Sequence, residues 1–233
     1  MECVILAGGT GSRLQSVVSD VPKCMAPVAG KPFLYYLISS LKEAGFKHII
    51  LSLGYKHEVV EAWFAANPAA VNISFITENE PLGTGGAVKY ALTKATQEDV
   101  FVLNGDSFFH IDYAGMLRMH KEKETTATLA LKEMKNFDRY GVVGINADGY
   151  ITHFSEKRFC RSGLINGGTY LIAKESLAGF PDKFSLEKDF FEKEVSSGSL
   201  VGFESKGYFI DIGIPEDYRQ AQIDFKNGAY QKI

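Results

Sequence analysis

The first candidate for chemistry is a glycine-rich loop close to the start of the chain. The loop, Ala7–Ser12, follows the apolar run Cys3–Leu6, leads into Arg13 and is followed by Lys23. Small residues between a strand and a helix let backbone N–H groups approach an anion, and two permanent cations suit an anion the size of a triphosphate. We therefore expect a nucleotide-phosphate site here; the alternative is a tight turn with solvated bases.

Two common nucleotide fingerprints do not fit this loop. The pattern G-x-x-x-x-G-K-[ST] fails because Gly30-Lys31 is followed by Pro32. The pattern G-x-G-x-x-G fails because Leu14 stands where its last glycine should be. The sequence therefore predicts neither a P-loop nor a dinucleotide site.

A carboxylate closes each of two apolar strands. Asp106 follows the run Val100–Leu103 in an Asn-Gly-Asp motif, and Asp211 ends the run Tyr208–Ile210. Open α/β sheets bind ligands outside the carboxyl ends of their strands. Because Mg²⁺ favours one or two carboxylates together with substrate phosphates, both aspartates are candidate magnesium ligands. Each aspartate alone is more often a turn or cap residue.

Two further polar motifs lie in the second half of the chain. Glu156-Lys157 follows a predicted hairpin strand, and Asn166-Gly167-Gly168 precedes another apolar run. A lone Glu-Lys pair is usually a solvated surface pair, and Asn-Gly-Gly is usually a turn. Both could line a polar pocket, and they gain weight only together with the other candidates.

Hydrophobic periodicity predicts alternating strands and helices in the first half of the chain. The predicted strands are Cys3–Leu6, His48–Leu53, Val71–Thr77, Val100–Leu103 and Thr126–Leu131. The predicted helices are Phe33–Ala44, Glu58–Phe64, Gly86–Ala95 and Tyr113–Lys123. Such βαβ units indicate an α/β fold with a mainly parallel sheet.

The pattern changes from Gly141 onwards. The runs 142–145 and 150–154 flank an Asn-Ala-Asp-Gly turn, which is typical of a hairpin rather than a crossover. A late strand, Tyr208–Ile210, precedes a terminal helix that begins near Pro215. We therefore expect a smaller subregion in this part, with no linker and no internal repeat.

Composition excludes several classes of protein. The 233 residues carry 25 basic and 28 acidic side chains, a net charge of −3, which argues against a nucleic-acid binder. No apolar stretch approaches the length of a membrane span, and no basic segment precedes the first apolar run. The three cysteines form no C-x-x-C pair, as expected of reduced thiols. These features predict a cytoplasmic protein without membrane or nucleic-acid partners.

Several motifs in order along the chain resemble those of the sugar-1-phosphate nucleotidylyltransferases. They are Leu6–Leu14, Pro22-Lys23, Pro81–Gly86, Asn104–Asp106, Glu156-Lys157, Asn166–Gly168 and Asp211–Gly213. The resemblance spans nearly the whole chain. It implies a Rossmann-like nucleotidyltransferase fold, similar to GT-A folds, with a central mixed, mostly parallel sheet and a small sugar-binding subregion. A single domain, 1–233, would bind the nucleotide mainly through 1–135 and the sugar phosphate mainly through 136–233.

The resemblance also implies a role for each matching residue. The nucleotide would contact Leu6, Ala7, Gly8, Gly9, Thr10, Gly11, Arg13, Lys23, Glu78, Pro81, Gly83, Thr84 and Asp106. The sugar phosphate would contact Asn104, Tyr140, Gly141, Glu156, Lys157, Asn166 and Gly167. Asp106 and Asp211 would hold Mg²⁺, and Arg13, Lys23 and Asp106 would be the catalytic residues. One departure is Cys24, where many relatives have proline after the lysine.

The implied reaction is attack by a sugar-1-phosphate oxygen on the α-phosphorus of a nucleoside triphosphate, with pyrophosphate leaving. Glu78 matches a family position that reads the base edge. A carboxylate there favours GTP, because it accepts hydrogen bonds from guanine N1–H and the exocyclic amino group. The alternative is that Glu78 is a solvated loop acid.

Among the guanylyltransferases, the chain looks most like the branch that acts on D-glycero-α-D-manno-heptose 1-phosphate, through Phe137–Gly141, Leu164–Gly168 and Asp211–Tyr218. The product would be GDP-heptose, a donor for surface glycans. The alternatives are a mannose-1-phosphate guanylyltransferase and a uridylyl- or thymidylyltransferase. A non-catalytic nucleotide-sensing subunit is disfavoured because Lys23, Asp106 and Asp211 are all present. Relatives commonly form homo-oligomers, and the sequence does not choose between that state and a monomer.

Overall fold

The computed structural model describes residues 1–9, 14, 17–155 and 157–231. The strands are β1 (Glu2–Leu6), β2 (Pro27–Val28), β3 (Lys31–Pro32), β4 (His48–Leu53), β5 (Asn72–Thr77), β6 (Asp99–Asn104), β7 (Ser107–Phe109), β8 (Ala127–Phe137), β9 (Val143–Ile145), β10 (Ile151–Phe154), β11 (Cys160–Ala173), β12 (Leu200–Ser205) and β13 (Phe209–Asp211). The α-helices are α1 (Phe33–Glu43), α2 (His57–Ala66), α3 (Gly83–Ala91), α4 (Tyr113–Glu122), α5 (Glu192–Glu194) and α6 (Pro215–Lys226). A π-helix, Leu186–Phe191, leads into α5. Short 3₁₀ helices cover Lys23–Met25, Leu92–Lys94, Lys174–Leu177, Val195–Ser197 and Ala229–Gln231.

Seven strands form one sheet in the order β12-β8-β11-β6-β1-β4-β5. The pairs β1–β4, β1–β6, β4–β5 and β8–β12 are parallel. β11 runs antiparallel to both β6 and β8. The predicted α/β fold with a mixed, mostly parallel sheet is therefore confirmed.

Helices cover both faces of this sheet, which explains why its central strands are apolar on both sides. In β1, Cys3 and Ile5 pack on the face covered by α1 and α6, while Val4 packs on the other. That second face is covered by α3 and the π-helix, which contribute Val88 and Phe190. The strand period of two thus divides the apolar side chains between two cores.

The predicted elements are found with shifted ends. The hairpin is confirmed as the antiparallel pair β9–β10. The helix predicted at Gly86–Ala95 instead begins at Gly83 and ends as α-helix at Ala91. β8 continues past Leu131 to Phe137 because it pairs along its length with β11. The motif Asn166–Gly168 lies inside β11, at a shift in that pairing, rather than in a turn between elements.

The predicted late strand is β13, which pairs with β7 outside the central sheet. Ser107 of β7 lies opposite Asp211 of β13, and the Ile212 N–H donates to the Asp106 carbonyl at 2.9 Å. This small antiparallel pair brings together two strand ends that are distant in sequence. Among the described residues, none of the helices is both long and apolar enough to span a membrane.

Candidate active site

A cleft of about 750 Å³ opens at the carboxyl ends of the parallel strands. It is lined by Leu6, Ala7, Gly8, Gly9, Lys23, Cys24, Gly54, Tyr55, Glu78, Asn79, Glu80, Pro81, Gly83, Thr84, Ala87, Asn104, Gly105, Asp106, Glu187 and Gly213. This is the place where open α/β sheets bind ligands. The loops after β1, β4, β5 and β6 supply most of the wall, so residues far apart in sequence meet there.

Lys23 lies at the floor of the cleft between two carboxylates. Its Nζ forms an ion pair with Asp106 Oδ2 and lies 3.7 Å from Asp211 Oδ1. The Lys23 side chain is only 12% exposed, so its ammonium group interacts mainly with these two carboxylates rather than with water. The Asp211 Oδ1 atom also accepts a 2.6 Å hydrogen bond from the Gly213 N–H. A Cβ at Gly213 would lie 2.7 Å from Asp211 Oδ1 and 3.0 Å from Lys23 Nζ, so a side chain there would displace the ends of both groups.

The electrostatics of this cluster favour a further cation. Burial, and then the Asp106 carboxylate, raise the pKa of Asp211 above its usual value, while Lys23 and the Gly213 amide act in the opposite direction. Two carboxylates thus share one lysine, and Asp106 is open to the cleft with its side chain 35% exposed. The donor set suits Mg²⁺, which completes its shell with phosphate and water oxygens. Among the described residues, no cluster of three or more His, Cys, Asp or Glu side chains forms a protein-only metal cage.

One half of the cleft contains the predicted nucleotide-binding residues. Within the described part of the chain all of them line it, and Thr10, Gly11 and Arg13 lie outside that part. Gly8 approaches the loop after β4 so closely that a Cβ would lie 3.2 Å from both the Gly54 nitrogen and Glu78 Oε1. A side chain at Gly8 would therefore require the Gly54 backbone or the Glu78 carboxylate to shift by a few tenths of an ångström.

Glu78 lies on the wall of this half, where both of its carboxylate oxygens have partners. Oε2 accepts a 3.1 Å hydrogen bond from the Leu82 N–H, and Oε1 accepts a 3.4 Å bond from Ser52 Oγ. These contacts hold the carboxylate in place. Each oxygen retains capacity for another donor, so the prediction that Glu78 reads a base is compatible with its position and stays a prediction.

The predicted sugar-phosphate residues are more dispersed. Asn104 lines the cleft, and Gly168, which follows Asn166 and Gly167 in β11, packs so closely that a Cβ would lie 2.7 Å from Asn104 Nδ2. Lys157 is exposed beyond β10, and Glu156 lies outside the described residues. Asn104, Asn166 and Gly167 are thus neighbours, whereas Lys157 lies on the surface.

Tyr140 and Gly141 follow β8 and lie near the strand β13, which ends at Asp211. The centroid of the Tyr140 ring lies 6.2 Å from that of Phe209, which begins β13, and burial followed by the Asp211 carboxylate raises the pKa of the Tyr140 phenol. Gly141 packs so that a Cβ would lie 2.4 Å from the Ser155 carbonyl oxygen. The segment therefore packs closely against Ser155, just after β10, and against Phe209 of β13.

Arg139 and Asp217 form a half-buried ion pair that was not predicted. The Arg139 guanidinium also lies over the Tyr140 ring, 5.4 Å from its centroid. The pair joins the segment after β8 to the first turn of α6, and so supports Tyr140. Both residues lie in motifs that carried the family resemblance, but no local pattern indicates that they pair with each other.

Glu187 lines the cleft, although the sequence did not indicate it as a site residue. It lies in the π-helix, and its Oε2 accepts a 2.7 Å hydrogen bond from Thr84 Oγ1, 103 positions away. No local motif marks it, because its place depends on packing between distant segments. Gly85 and Gly86 create that packing, since a Cβ at either would collide with Phe184 or Asp182.

Comparison with known proteins agrees with this geometry. Residues 2–228 match the model of the nucleotidyl transferase family. The chain is 47% identical over 232 residues to a protein of Aneurinibacillus thermoaerophilus named D-glycero-alpha-D-manno-heptose 1-phosphate guanylyltransferase, covering 97% of this chain and 99% of that protein. A protein of the same name from Campylobacter jejuni is 43% identical, covering 94% of this chain and 97% of that protein.

Solved structures give the same result. HddC from Yersinia pseudotuberculosis, complexed with GMP-PN, superposes with a TM-score of 0.88 at 41% identity, covering 97% of this chain and 99% of that chain. A putative glucose-1-phosphate thymidylyltransferase from Bacillus anthracis shares the fold, with a TM-score of 0.83 at 22% identity, covering 97% and 96%. The resemblance inferred from the motifs is confirmed, and the chain belongs to the nucleotidyl transferase family.

Proposed function

We propose that this protein transfers a guanylyl group from GTP to D-glycero-α-D-manno-heptose 1-phosphate, forming GDP-heptose and pyrophosphate. The observation that carries the proposal is the cluster of Lys23, Asp106 and Asp211 at the floor of the cleft. One cation and two carboxylates in a single cleft support a site at which a triphosphate and a sugar phosphate meet. The full-length similarity to two proteins named heptose 1-phosphate guanylyltransferase supports the choice of substrates.

The proposed catalysis depends on positioning and charge neutralisation. The attacking phosphate oxygen is already an anion at neutral pH, so no side chain needs to remove a proton from it. Lys23 donates to the α-phosphate of the bound nucleotide, and Arg13 neutralises the departing pyrophosphate. Asp106 and Asp211 would hold Mg²⁺, which would supply additional charge neutralisation at the phosphates when bound.

The two substrates would occupy different parts of the cleft. The nucleotide would lie over the ends of β1, β4 and β5, with its phosphates at Gly8 and Gly9 and its base beside Glu78. The sugar phosphate would lie over β6 and β11, near Asn104, Asn166 and Tyr140. Segment 1–135 would thus bind mainly the nucleotide and segment 136–233 mainly the sugar phosphate within a single domain, with β6 of the first segment contributing Asn104 to the sugar side.

The test is pyrophosphate release in the presence of Mg²⁺, with GTP, UTP, dTTP, CTP and ATP each paired with heptose, mannose and glucose 1-phosphates. Release confined to GTP with the heptose phosphate is the expected result. Release with GTP and mannose 1-phosphate alone would make the protein a mannose-1-phosphate guanylyltransferase. Release with UTP or dTTP would overturn the proposed base, and no release with any pair would support a nucleotide-sensing subunit.

A further inference from the structure

The π-helix Leu186–Phe191 presents one acidic side chain, Glu187, to the cleft. π-Helical turns are rare and occur frequently at functional sites. This one is held against the start of α3 by backbone hydrogen bonds from Gly85 and Gly86 to the Phe184 carbonyl, at 3.0 and 3.3 Å. These bonds fix the backbone just before the π-helix, and so the place from which the Glu187 side chain enters the cleft.

The Glu187 carboxylate is only partly satisfied by the protein. Thr84 Oγ1 donates to Oε2 at 2.7 Å, and Ser185 Oγ donates to the same oxygen at 3.2 Å. Within the part of the chain that the structure describes, Oε1 has no hydrogen-bond donor. One carboxylate oxygen thus fixes the orientation, and the other can accept hydrogen bonds from a ligand.

Thr84 serves this orientation rather than a ligand of its own. Its hydroxyl has one proton, which it gives to Glu187, and it accepts a 2.9 Å hydrogen bond from the Leu186 N–H. The hydroxyl can offer a ligand no further proton. The Thr84 hydroxyl therefore positions Glu187, and the predicted contact of Thr84 with the nucleotide stays a prediction.

The π-helix that carries Glu187 packs against β11, because the ring centroids of Phe191 and Tyr170 lie 4.9 Å apart. The buried Tyr170 hydroxyl accepts a 3.0 Å hydrogen bond from Asn166 Nδ2. Burial raises the pKa of Tyr170, and the nearby Glu187 carboxylate is the next contributor. Glu187 is thus a neighbour of the β11 residues, whereas the candidate base-reading Glu78 is held by the loops after β4 and β5.

We propose that Glu187 binds hydroxyl groups of the sugar 1-phosphate through Oε1, and so helps to select the sugar. A carboxylate would repel the substrate phosphates, but it is a strong acceptor for adjacent hydroxyl groups. A bound sugar phosphate would cover this partly exposed carboxylate, and a sugar that lacks the matching hydroxyl would leave it unpaired, which discriminates between sugars. The inference rests on the proposed function, because it names what one residue of that site recognises.

The test compares Glu187→Gln with Thr84→Val and with Glu192→Gln, an exposed acid-to-amide change on the neighbouring α5. Steady-state kinetics would give KM for heptose 1-phosphate at saturating GTP, and KM for GTP at saturating heptose 1-phosphate. Glu187→Gln is expected to raise KM for the sugar phosphate roughly tenfold and leave KM for GTP within about twofold, the size of one charged hydrogen bond. Thr84→Val should act in the same direction less strongly, and Glu192→Gln should match the wild type.

Two further measurements make the outcomes decisive. Melting temperatures report whether the variants fold. The activities of the wild type and of Glu187→Gln toward monodeoxy sugar 1-phosphates identify the hydroxyl that Glu187 binds. When that hydroxyl is missing from the sugar, the two proteins should have the same KM for the sugar phosphate. A larger change in KM for GTP would assign Glu187 to the ribose and overturn the inference, as would unchanged kinetics. Absence of activity in the wild type would overturn the proposed function itself. An active wild type whose KM values are unchanged in Glu187→Gln would overturn this inference alone.

Discussion

Lys23 donates from Nζ to Oδ2 of Asp106, although the two residues lie 83 positions apart in the chain. Lys23 begins a 3₁₀ helix after the glycine-rich loop, and Asp106 lies in the tight turn between β6 and β7. Gly105 allows this turn to approach β1, since its N–H donates to the Leu6 carbonyl at 2.9 Å and a Cβ would lie 2.6 Å from that oxygen. The backbone of three segments thus determines the position of the ion pair.

Asp106→Asn is therefore expected to abolish most turnover while leaving the fold intact. The amide keeps the shape of the side chain, but it loses the charge that attracts Lys23 and a divalent cation. We expect kcat to fall by about 100-fold or more, as for removal of one group that stabilises transition-state charge. Pyrophosphate release and the melting temperature measure the two effects. Wild-type turnover in a folded Asp106→Asn protein would refute the assignment.

The elements around this pair show what a single sequence can predict. The buried runs of β1, β4 and β6 are mostly apolar on both faces, so the existence of these strands and, to within one residue, their ends are visible locally. Parallel pairing brings their carboxyl ends together. For that reason, Lys23, Asp106 and the described loop residues are found in one cleft, as expected.

Other parts depend on contacts between distant segments and have no local signal. The second half of β8 is a strand because Lys132 to Phe137 pair with β11, although its exposed polar residues have weak strand propensity. The π-helix depends in the same way on the glycine surface of α3. Glu187 could not be predicted for this reason, whereas Arg139 and Asp217 were present in recognised motifs and lacked only their pairing.

Glu78→Gln is expected to reduce the preference for GTP. A glutamine offers one acceptor and one donor group, which match uracil or thymine better than the guanine N1–H and amino group. We expect the ratio of kcat/KM for GTP to that for UTP to fall by about tenfold or more. Because Glu78 also holds the Leu82 N–H, the ratio is more informative than the activity. The exposed Glu58→Gln in α2 controls for the loss of charge, and an unchanged ratio in Glu78→Gln would favour a purely structural role.

Gly86→Ala is expected to destabilise the protein even though alanine favours helices. A Cβ at Gly86 would lie 2.1 Å from the Asp182 carbonyl oxygen, and backbone cannot move away as a flexible side chain can. We expect a loss of about 2–3 kcal/mol in the free energy of unfolding, which exceeds the gain of about 1 kcal/mol in helix propensity. At Gly179 a Cβ would meet no atom within 4 Å, so Gly179→Ala is the matched control. Equal stability of the two variants by urea denaturation would show that the segment at Asp182 is not tightly packed.

Glu2, at the opposite end of β1, makes stability depend on acid pH. Its carboxylate accepts hydrogen bonds from the Thr96 and Gln97 N–H groups at 2.8 and 2.7 Å, and His48 Nδ1 lies 2.9 Å away. Burial alone would raise the pKa of Glu2, but these hydrogen bonds outweigh it and lower the pKa from 4.5 to about 2. The stabilisation is therefore complete above about pH 5 and is lost as the pH falls toward 2.

Glu2→Gln should consequently lower the free energy of unfolding by about 2–3 kcal/mol at pH 7, because the amide replaces an acceptor of several donors with a group that is itself a donor. The difference from the wild type should shrink as the pH is lowered from 5 to 2.5. Glu61→Gln removes a carboxylate that also pairs with a histidine, His57, but both side chains are 42% exposed. Its effect should stay within about 0.5 kcal/mol at every pH. Urea denaturation across this range measures both variants, and a constant difference between Glu2→Gln and the wild type would show that Glu2 does not retain its charge through these contacts.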